Sequence, residues 1–146
     1  MARAAEQTPI KYQLLPNAVG NLLKGTYSTT ASVPVSSTTS FVYTTGHIGL
    51  DLQTGALVHE TLEAEFNAIF NCLNAALKGA NVRDGCAGAF KFTSYLLKAE
   101  HEPVMQAVFK QRWPQHRPTW TTVIVADVAG GGCMHAEIAA EAAAFT

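Results

Sequence analysis

The sequence contains few charged residues. Asp, Glu, Lys and Arg make up 14% of its 146 residues, and the formal net charge is −1. A nucleic-acid-binding domain normally has a basic face, so this composition argues against such a partner. The densest basic stretch runs from Lys110 to Arg117, is interrupted by Trp113 and Pro114, and is typical of a solvated helix end. Sparse charge also leaves little polar cover for a monomer and favours self-association.

Long apolar runs and cysteine clusters are also missing. No window approaches the roughly 18 apolar residues of a membrane span, and no continuous apolar segment near the N-terminus indicates a signal peptide. The three cysteines are widely spaced, and the chain has no CxxC or HExxH motif. We therefore expect a cytoplasmic protein with reduced thiols, no metal and no membrane partner.

The chain is long enough for one domain with a substantial core, since 48% of its residues are hydrophobic. Residues 1–8 resemble a flexible tail, and residues 9–146 are expected to form the single domain. Apolar residues at three- and four-residue spacing predict a helix over residues 61–78, with Thr61 as N-cap and Gly79 as the C′ residue. A second helix should begin near Pro103 and stop at Pro114.

Short β-branched and aromatic stretches predict the strands. We expect strands at residues 10–15, within 27–40, at 41–45 and at 86–97, with a turn at 51–55 and irregular chain at 20–25. This order predicts an α+β protein, with a mixed sheet and both helices on one of its faces. Apolar residues occur at both parities in the strands, so the other face should be covered by another subunit.

The stretch RPTWTTVIVADVAGGGCMHAEIAAEA, residues 117–142, reads as two strands joined by three glycines. A hairpin turning at Gly130 and Gly131 would place Ala126 opposite His135, and Ile124 opposite Glu137. Strand alternation then puts Trp120, Thr122, Ile124 and Ala126 on the same face as His135 and Glu137.

Several segments in this order resemble the Rid (YjgF-like) family, also called the L-PSP endoribonuclease family. GHIGLDLQTGALV, residues 46–58, is similar to the family's strand end and turn, SGQI-(x)-DP-x-TG-x-(x)-V. HRPTWTTVIVADVAGGGCMHAEIAA, residues 116–140, is similar to its closing segment, KPARS-x-V-x-V-x-x-LP-x-x-x-x-VEIEAIA. The resemblance implies a chorismate-mutase-like fold with a six-stranded sheet, a homotrimer, and small-molecule pockets between subunits. It also implies cofactor-free hydrolysis of enamines and imines to keto acids and ammonia.

The resemblance implies site residues at matching positions. The family's carboxylate-binding Arg falls on Trp120, the residue two places later on Thr122, and the first acid of the closing strand on His135. Glu137 matches the second acid, Gln106 a helical Asn, and Tyr27 an aromatic residue of an early motif. Gly46 would line the pocket with its backbone, and His47 follows it.

These changes predict a different substrate. A guanidinium binds a carboxylate through two parallel hydrogen bonds, and Trp120 cannot form this pair. Trp120 offers instead a flat apolar wall and one N–H donor. A register shift of three residues would bring Arg117 to this position, but on the opposite sheet face. His135 can exchange a proton near neutral pH, and Thr122 could orient a water or bind a carbonyl oxygen. His135 also fits a structural role, and Trp120 fits subunit packing.

Four functions follow as hypotheses. The first is a divergent Rid-like enzyme acting on a small reactive carbonyl, enol or imine compound as an isomerase, cyclase or hydro-lyase, in secondary metabolism. The second is an ordinary imine deaminase in which Arg117 or Lys91 replaces the family's Arg. The third is a non-catalytic small-ligand-binding or stress-related protein. The fourth, ribonuclease activity, has the family name behind it but no basic groove in the sequence.

Overall fold

The computed structural model describes residues 9–146. The predicted tail, residues 1–8, lies outside the described residues. Three α-helices are present in the described chain: α1 (Ala18–Leu23), α2 (Leu62–Gly79) and α3 (Glu102–Arg112). The strands are β1 (Lys11–Gln13), β2 (Thr30–Pro34), β3 (Thr39–Thr44), β4 (Ala89–Leu96), β5 (Thr119–Ile124) and β6 (Ala136–Phe145), with short 3₁₀ turns at Gly85–Gly88 and Ala99–His101.

The strands of the described residues form one mixed sheet in the order β1-β2-β3-β6-β4-β5. Every neighbouring pair is antiparallel except β4 and β5, which are parallel. This arrangement confirms the predicted six-stranded mixed α+β sheet. The predicted β5–β6 hairpin is wrong, because β4 lies between these strands and Tyr95 of β4 stands opposite Glu137 on one side and Val123 on the other.

The crossover from β4 through α3 explains the position of β5. Parallel neighbours need a long connection, which α3 supplies, so β5 returns beside β4 at the sheet edge. The glycine segment then crosses from the edge strand to β6, two places into the sheet. Gly130, Gly131 and Gly132 all have positive φ angles, of 116°, 69° and 87°. They form a sharp reversal here, but it does not join paired strands.

Helix α2 begins as predicted and ends later than predicted. The Thr61 hydroxyl accepts a hydrogen bond from the backbone N–H of Ala64 at 3.0 Å, which caps the helix. At the other end Asn81, not Gly79, adopts the left-handed conformation, with φ of 69°. The backbone N–H of Val82 donates to the Leu77 carbonyl at 3.0 Å, which closes a Schellman motif with Asn81 at C′.

The segment predicted to be irregular at residues 20–25 instead contributes to α1. The Asn17 side chain accepts from the backbone N–H groups of Val19 and Gly20, at 3.0 and 3.2 Å, and so caps this short helix. A side chain at Gly20 would overlap the Leu15 carbonyl oxygen. Gly20 therefore looks like a helix breaker in sequence, but here it permits a close backbone contact.

The core lies between the sheet and the helices α2 and α3. The residues of β6 alternate strictly, and Ala136, Ile138 and Ala140 point into this core. The opposite sheet face carries large apolar side chains that are 39–46% exposed: Phe41, Tyr43, Phe90 and Val123. In the part of the chain that the structure describes, no helix is long and apolar enough to cross a membrane.

Candidate functional site

A set of short polar contacts joins α2 to the chain at the start of β6. Glu65 Oε1 lies 2.7 Å from His135 Nδ1. Glu65 Oε2 accepts hydrogen bonds from the backbone N–H groups of His135 and Ala136, at 2.7 and 3.1 Å. A carboxylate with several N–H donors is held in a fixed position, so Glu65 holds both the backbone and the ring of His135.

The two partners differ sharply in exposure. The Glu65 side chain is 1% exposed, whereas the His135 side chain is 40% exposed. Because the carboxylate is an acceptor, Nδ1 of His135 carries the proton in this contact, and Nε2 of the neutral ring is the basic nitrogen. A buried acid that orients a partly exposed imidazole is the arrangement that general acid–base catalysis uses.

A second histidine packs on this pair. The rings of His101 and His135 meet edge to face, with centroids 5.6 Å apart. His101 is 8% exposed, and its Nδ1 has no hydrogen-bond partner among the described residues. Desolvation lowers the pKa of His101, and the nearby His135 lowers it further. Both effects favour the neutral form of His101, whose ring covers one side of the acid–base pair.

Thr122 and Gln106 are joined through Glu102, at the start of α3. Glu102 Oε1 accepts from the Thr122 hydroxyl at 3.2 Å and from the Gln106 amide at 3.3 Å. This connection brings two of the predicted site residues together. Glu102 follows His101 directly in sequence, so the first turn of α3 links the Thr122 network to the His101–His135 contact.

A groove of about 560 Å³ lies between α3 and the segment that leads into β5. Its lining includes Pro103, Gln106, Phe109, His116, Arg117 and Trp120. Trp120 stacks on Phe92, with centroids 4.6 Å apart and 21° between the ring planes, and its indole N–H donates to the Ser94 hydroxyl. The groove is large enough for a small organic molecule.

Arg117 lines the same groove as Trp120, which the sequence argument did not predict. The expectation of opposite sheet faces assumed that both residues belong to the strand. Strand β5 begins at Thr119, so Arg117 precedes it and alternation does not govern its direction. Lys91, the other substitute cation, stands opposite Glu141 on the sheet face away from the helices.

Trp120 and His135 do not lie side by side within one chain. Trp120 is paired with Phe92 of β4, while the carbonyl of His135 accepts from the N–H of Leu97. Phe92 and Leu97 are five residues apart along β4, so Trp120 and His135 are separated by roughly 16 Å along the strand direction. The expectation that Ala126 lies opposite His135, and Ile124 opposite Glu137, fails because the hairpin does not exist.

Glu137 lies on the opposite sheet face, close to Gly46. A side chain at Gly46 would displace the Glu137 carboxylate from its present position. Glu137 is half-buried, and desolvation raises its pKa. With Tyr95 and Asp127, Glu137 lines a separate hollow of about 340 Å³. Predicted site residues therefore occur on both faces of the sheet.

His47 and Tyr27 lie apart from the groove. His47 is 2% exposed, its Nε2 has no hydrogen-bond partner in the described residues, and burial lowers its pKa to about 4. It is therefore neutral at pH 7 and faces no solvent. Its backbone pairs with Ile138. Tyr27 is 62% exposed in the loop after α1.

Sequence reasoning missed Glu65 and Glu102. Glu65 lies in the first turn of α2, where the helix dipole favours an acid, yet it falls beside Phe66 and Ile69 on the apolar stripe of that helix, and that position was the available signal. Among the described residues, no group of three or more His, Cys, Asp or Glu is placed to hold a metal ion.

Solved structures share this fold. RidA from an Antarctic Psychrobacter is 26% identical, with a TM-score of 0.68, and the alignment covers 91% of this chain and 96% of that one. Yeast Mmf1 is 19% identical, with a TM-score of 0.73 and coverage of 94% and 98%. Escherichia coli TdcF, solved with bound serine, is 22% identical, with a TM-score of 0.68 and coverage of 92% and 97%. No curated protein matches the chain.

These structural similarities place the chain in a class: α+β proteins of the Rid fold, whose mixed sheet carries its long helices on one face. The family model described as endoribonuclease L-PSP matches residues 24–144. The chain therefore belongs to the L-PSP endoribonuclease family, also known as the YjgF or Rid family.

Proposed function

We propose that this protein is a divergent Rid-family enzyme that acts on a small reactive carbonyl, enol or imine compound by acid–base chemistry, without a cofactor. The observation that carries this proposal is the buried Glu65 carboxylate, 2.7 Å from Nδ1 of the partly exposed His135. The Glu65 carboxylate holds both the ring and the backbone of His135, so this partly exposed imidazole has a fixed orientation. Isomerisation, cyclisation and loss of water all need such a proton-transfer group.

His135 would remove and return the proton through Nε2. Glu65 keeps the proton on Nδ1 and stabilises the imidazolium that forms when Nε2 accepts one from the substrate. Thr122, held by Glu102, would bind a carbonyl oxygen or orient a water at the neighbouring position. Because Trp120 and His135 are roughly 16 Å apart along the sheet within one chain, Trp120 and Gln106 would contact this substrate only where two subunits meet. A pathway-specific role in secondary metabolism fits such a change of chemistry.

The test is proton exchange at carbon. The protein is incubated in D₂O with a panel of small 2-keto acids and β-dicarbonyl compounds, and loss of the α-proton signal is followed by ¹H NMR. We expect the wild type to accelerate exchange for part of the panel, and His135→Gln to lose about 100-fold of that rate. His59→Gln, at an exposed loop position, is the matched control and should exchange like the wild type.

Two outcomes would overturn the proposal. Exchange that persists at the wild-type rate in His135→Gln would remove His135 from the chemistry. A wild type that binds compounds of the panel and turns over none of them would favour a non-catalytic ligand-binding protein.

The alternative function is 2-imino acid deamination of the usual Rid type. The observation that favours it is Arg117, which lines the same groove as Trp120 and supplies the guanidinium that position 120 lacks. The relative with bound serine shows that a member of this fold can hold a small amino acid. Ammonia release from iminopropanoate generated in situ, at a rate that Arg117→Gln abolishes, would establish this alternative in place of the first.

We also propose that the protein is a cytoplasmic homotrimer in which the sheet face away from the helices is covered by neighbouring subunits. Exposed aromatic side chains on that face, Phe41, Tyr43 and Phe90, support the burial of this surface. Trimerisation would place a neighbouring subunit beside the groove. Sedimentation equilibrium should give three times the 15.6 kDa chain mass, whereas a monomer would contradict the proposal.

A further inference from the structure

The groove between α3 and β5 combines an aromatic surface with unpaired positive charge. Trp120 and Phe109 supply ring surfaces, and Pro103 and Pro118 supply rigid apolar walls. Lys110 and Arg117 bring cationic groups to the same groove, and none of its lining residues is acidic. The stretch that reads as a solvated helix end in sequence therefore contributes charge to a cavity.

The positive charge of the groove has no partner in the described part of the chain. Neither Lys110 nor Arg117 forms a salt bridge there. By contrast, Arg112 stacks on Trp113 and donates to the Asn67 backbone, so it is occupied elsewhere. Nε2 of His116 donates to the Ala89 carbonyl at 2.7 Å, so this N–H is not available to a ligand in the groove. Arg117 and Lys110 remain as the cations available to a ligand.

Trp120 is held firmly enough to serve as a binding surface. Phe92 stacks on its ring, Phe109 meets it edge to face with centroids 4.9 Å apart, and Ser94 accepts its N–H. A ligand therefore cannot use that N–H without displacing the hydroxyl. What the indole offers the groove is apolar aromatic surface, which favours a flat unsaturated ligand.

We propose that this groove binds a small aromatic carboxylate, whose ring lies against Trp120 and whose carboxylate is bound by Arg117, with Lys110 beside it. A guanidinium pairs with a carboxylate through two parallel hydrogen bonds, and the volume of about 560 Å³ accommodates one or two fused rings. The inference goes beyond the proposed function, since binding in the groove does not need His135.

Two pairs of probes separate charge from aromaticity. Calorimetry compares 2-naphthoate with neutral 2-naphthamide, and 2-naphthoate with its saturated decahydro counterpart. We expect 2-naphthoate to bind about tenfold more tightly than the amide, and Arg117→Gln to abolish that preference. Arg83→Gln is the matched control, because Arg83 is 93% exposed and pairs with Asp84 away from the groove.

The ligand is located by the indole N–H signal of Trp120 in ¹⁵N-resolved spectra, assigned with Trp120→Phe. That signal should shift on addition of 2-naphthoate, and the aromatic probe should bind more tightly than the saturated one. His135→Gln should bind 2-naphthoate like the wild type, which separates this inference from the proposed function.

Three results would overturn the inference: equal affinity for the acid and the amide, unchanged preference in Arg117→Gln, or shifts confined to signals away from the groove. Absence of 2-naphthoate binding by the wild type at millimolar concentration would overturn it as well.

Discussion

Two regions of the molecule differ in whether their charged groups are paired within the protein. One is the contact between Glu65 and His135, and the other is the groove beside Trp120. In the first, a carboxylate that is 1% exposed is satisfied by N–H donors from the protein itself. In the second, Arg117 is exposed at a cavity and has no acid partner in the described chain. Internally satisfied charge fixes geometry, whereas unsatisfied charge beside a cavity is available to a ligand.

This contrast predicts different consequences for mutation. A change at Glu65 should reduce the free energy of unfolding as well as alter His135, because buried donors lose their acceptor. A change at Arg117 should affect ligand binding and leave folding almost unchanged, because exposed side chains contribute little to stability.

The largest effect is expected for Glu65→Leu. It leaves the N–H groups of His135 and Ala136 and the His135 ring without their acceptor, so the free energy of unfolding should fall by about 4 kcal/mol. Urea denaturation measures this change. Glu63→Leu, on an exposed position of the same helical turn, should cost less than about 1 kcal/mol. Equal losses would show that Glu65 has no special structural role.

His47 sharpens the comparison, because it is buried and its Nε2 has no hydrogen-bond partner among residues 9–146. Its folded-state pKa of about 4 lies below the unfolded value of 6.5, so the unfolded chain takes up the proton first as pH falls. His47 should therefore remove about 3 kcal/mol of stability between pH 6.5 and pH 4. Unfolding curves of His47→Leu should show that much less pH dependence than the wild type, and His59→Leu should not differ from it. Equal slopes for His47→Leu and the wild type would refute the assignment.

A smaller effect is expected for Trp120→Phe, which keeps an aromatic ring on Phe92 but removes the N–H that donates to Ser94. One lost hydrogen bond should cost about 1 kcal/mol of unfolding free energy. The preference for aromatic over saturated carboxylates should survive. Loss of that preference in Trp120→Phe would show that the indole N–H, and not the ring surface, selects the ligand.

The smallest change in stability is expected for Arg117→Gln. The side chain is exposed and makes no salt bridge with the described residues, so the free energy of unfolding should stay within about 0.5 kcal/mol of the wild type. Thermal unfolding without ligand measures this. A loss as large as that of Glu65→Leu would abolish the distinction between the two regions.

Local patterns predicted the elements well and their neighbours less well. The Thr61 cap, the apolar stripe of α2 and the Pro103 start of α3 are all encoded within a few residues, and the structure confirms each. The partner of β5 depends on the path of α3, which no local pattern records. The available clue to the parallel pair was the predicted helix that begins near Pro103, because a helix that connects two strands can return the chain to a parallel neighbour.

The site shows the same limit. Trp120 and Gln106 were both predicted as site residues, and they line one groove. Arg117 lines the same groove, but strand alternation placed it on the other sheet face, although it precedes the strand. Glu65 is separated from His135 by 70 residues, so only the folded chain brings them into contact. The sequence therefore allowed individual site residues to be predicted, but not the pairing of Glu65 with His135.

The central claim is that Glu65 fixes His135 as a base with a free Nε2. Long-range ¹H–¹⁵N correlation spectra at neutral pH, with His135 assigned through His135→Gln, measure the tautomer of the neutral ring directly. We expect the proton on Nδ1 in the wild type, and a mixture of tautomers in Glu65→Gln. A wild-type ring with its proton on Nε2, or a tautomer unchanged in Glu65→Gln, would contradict the account.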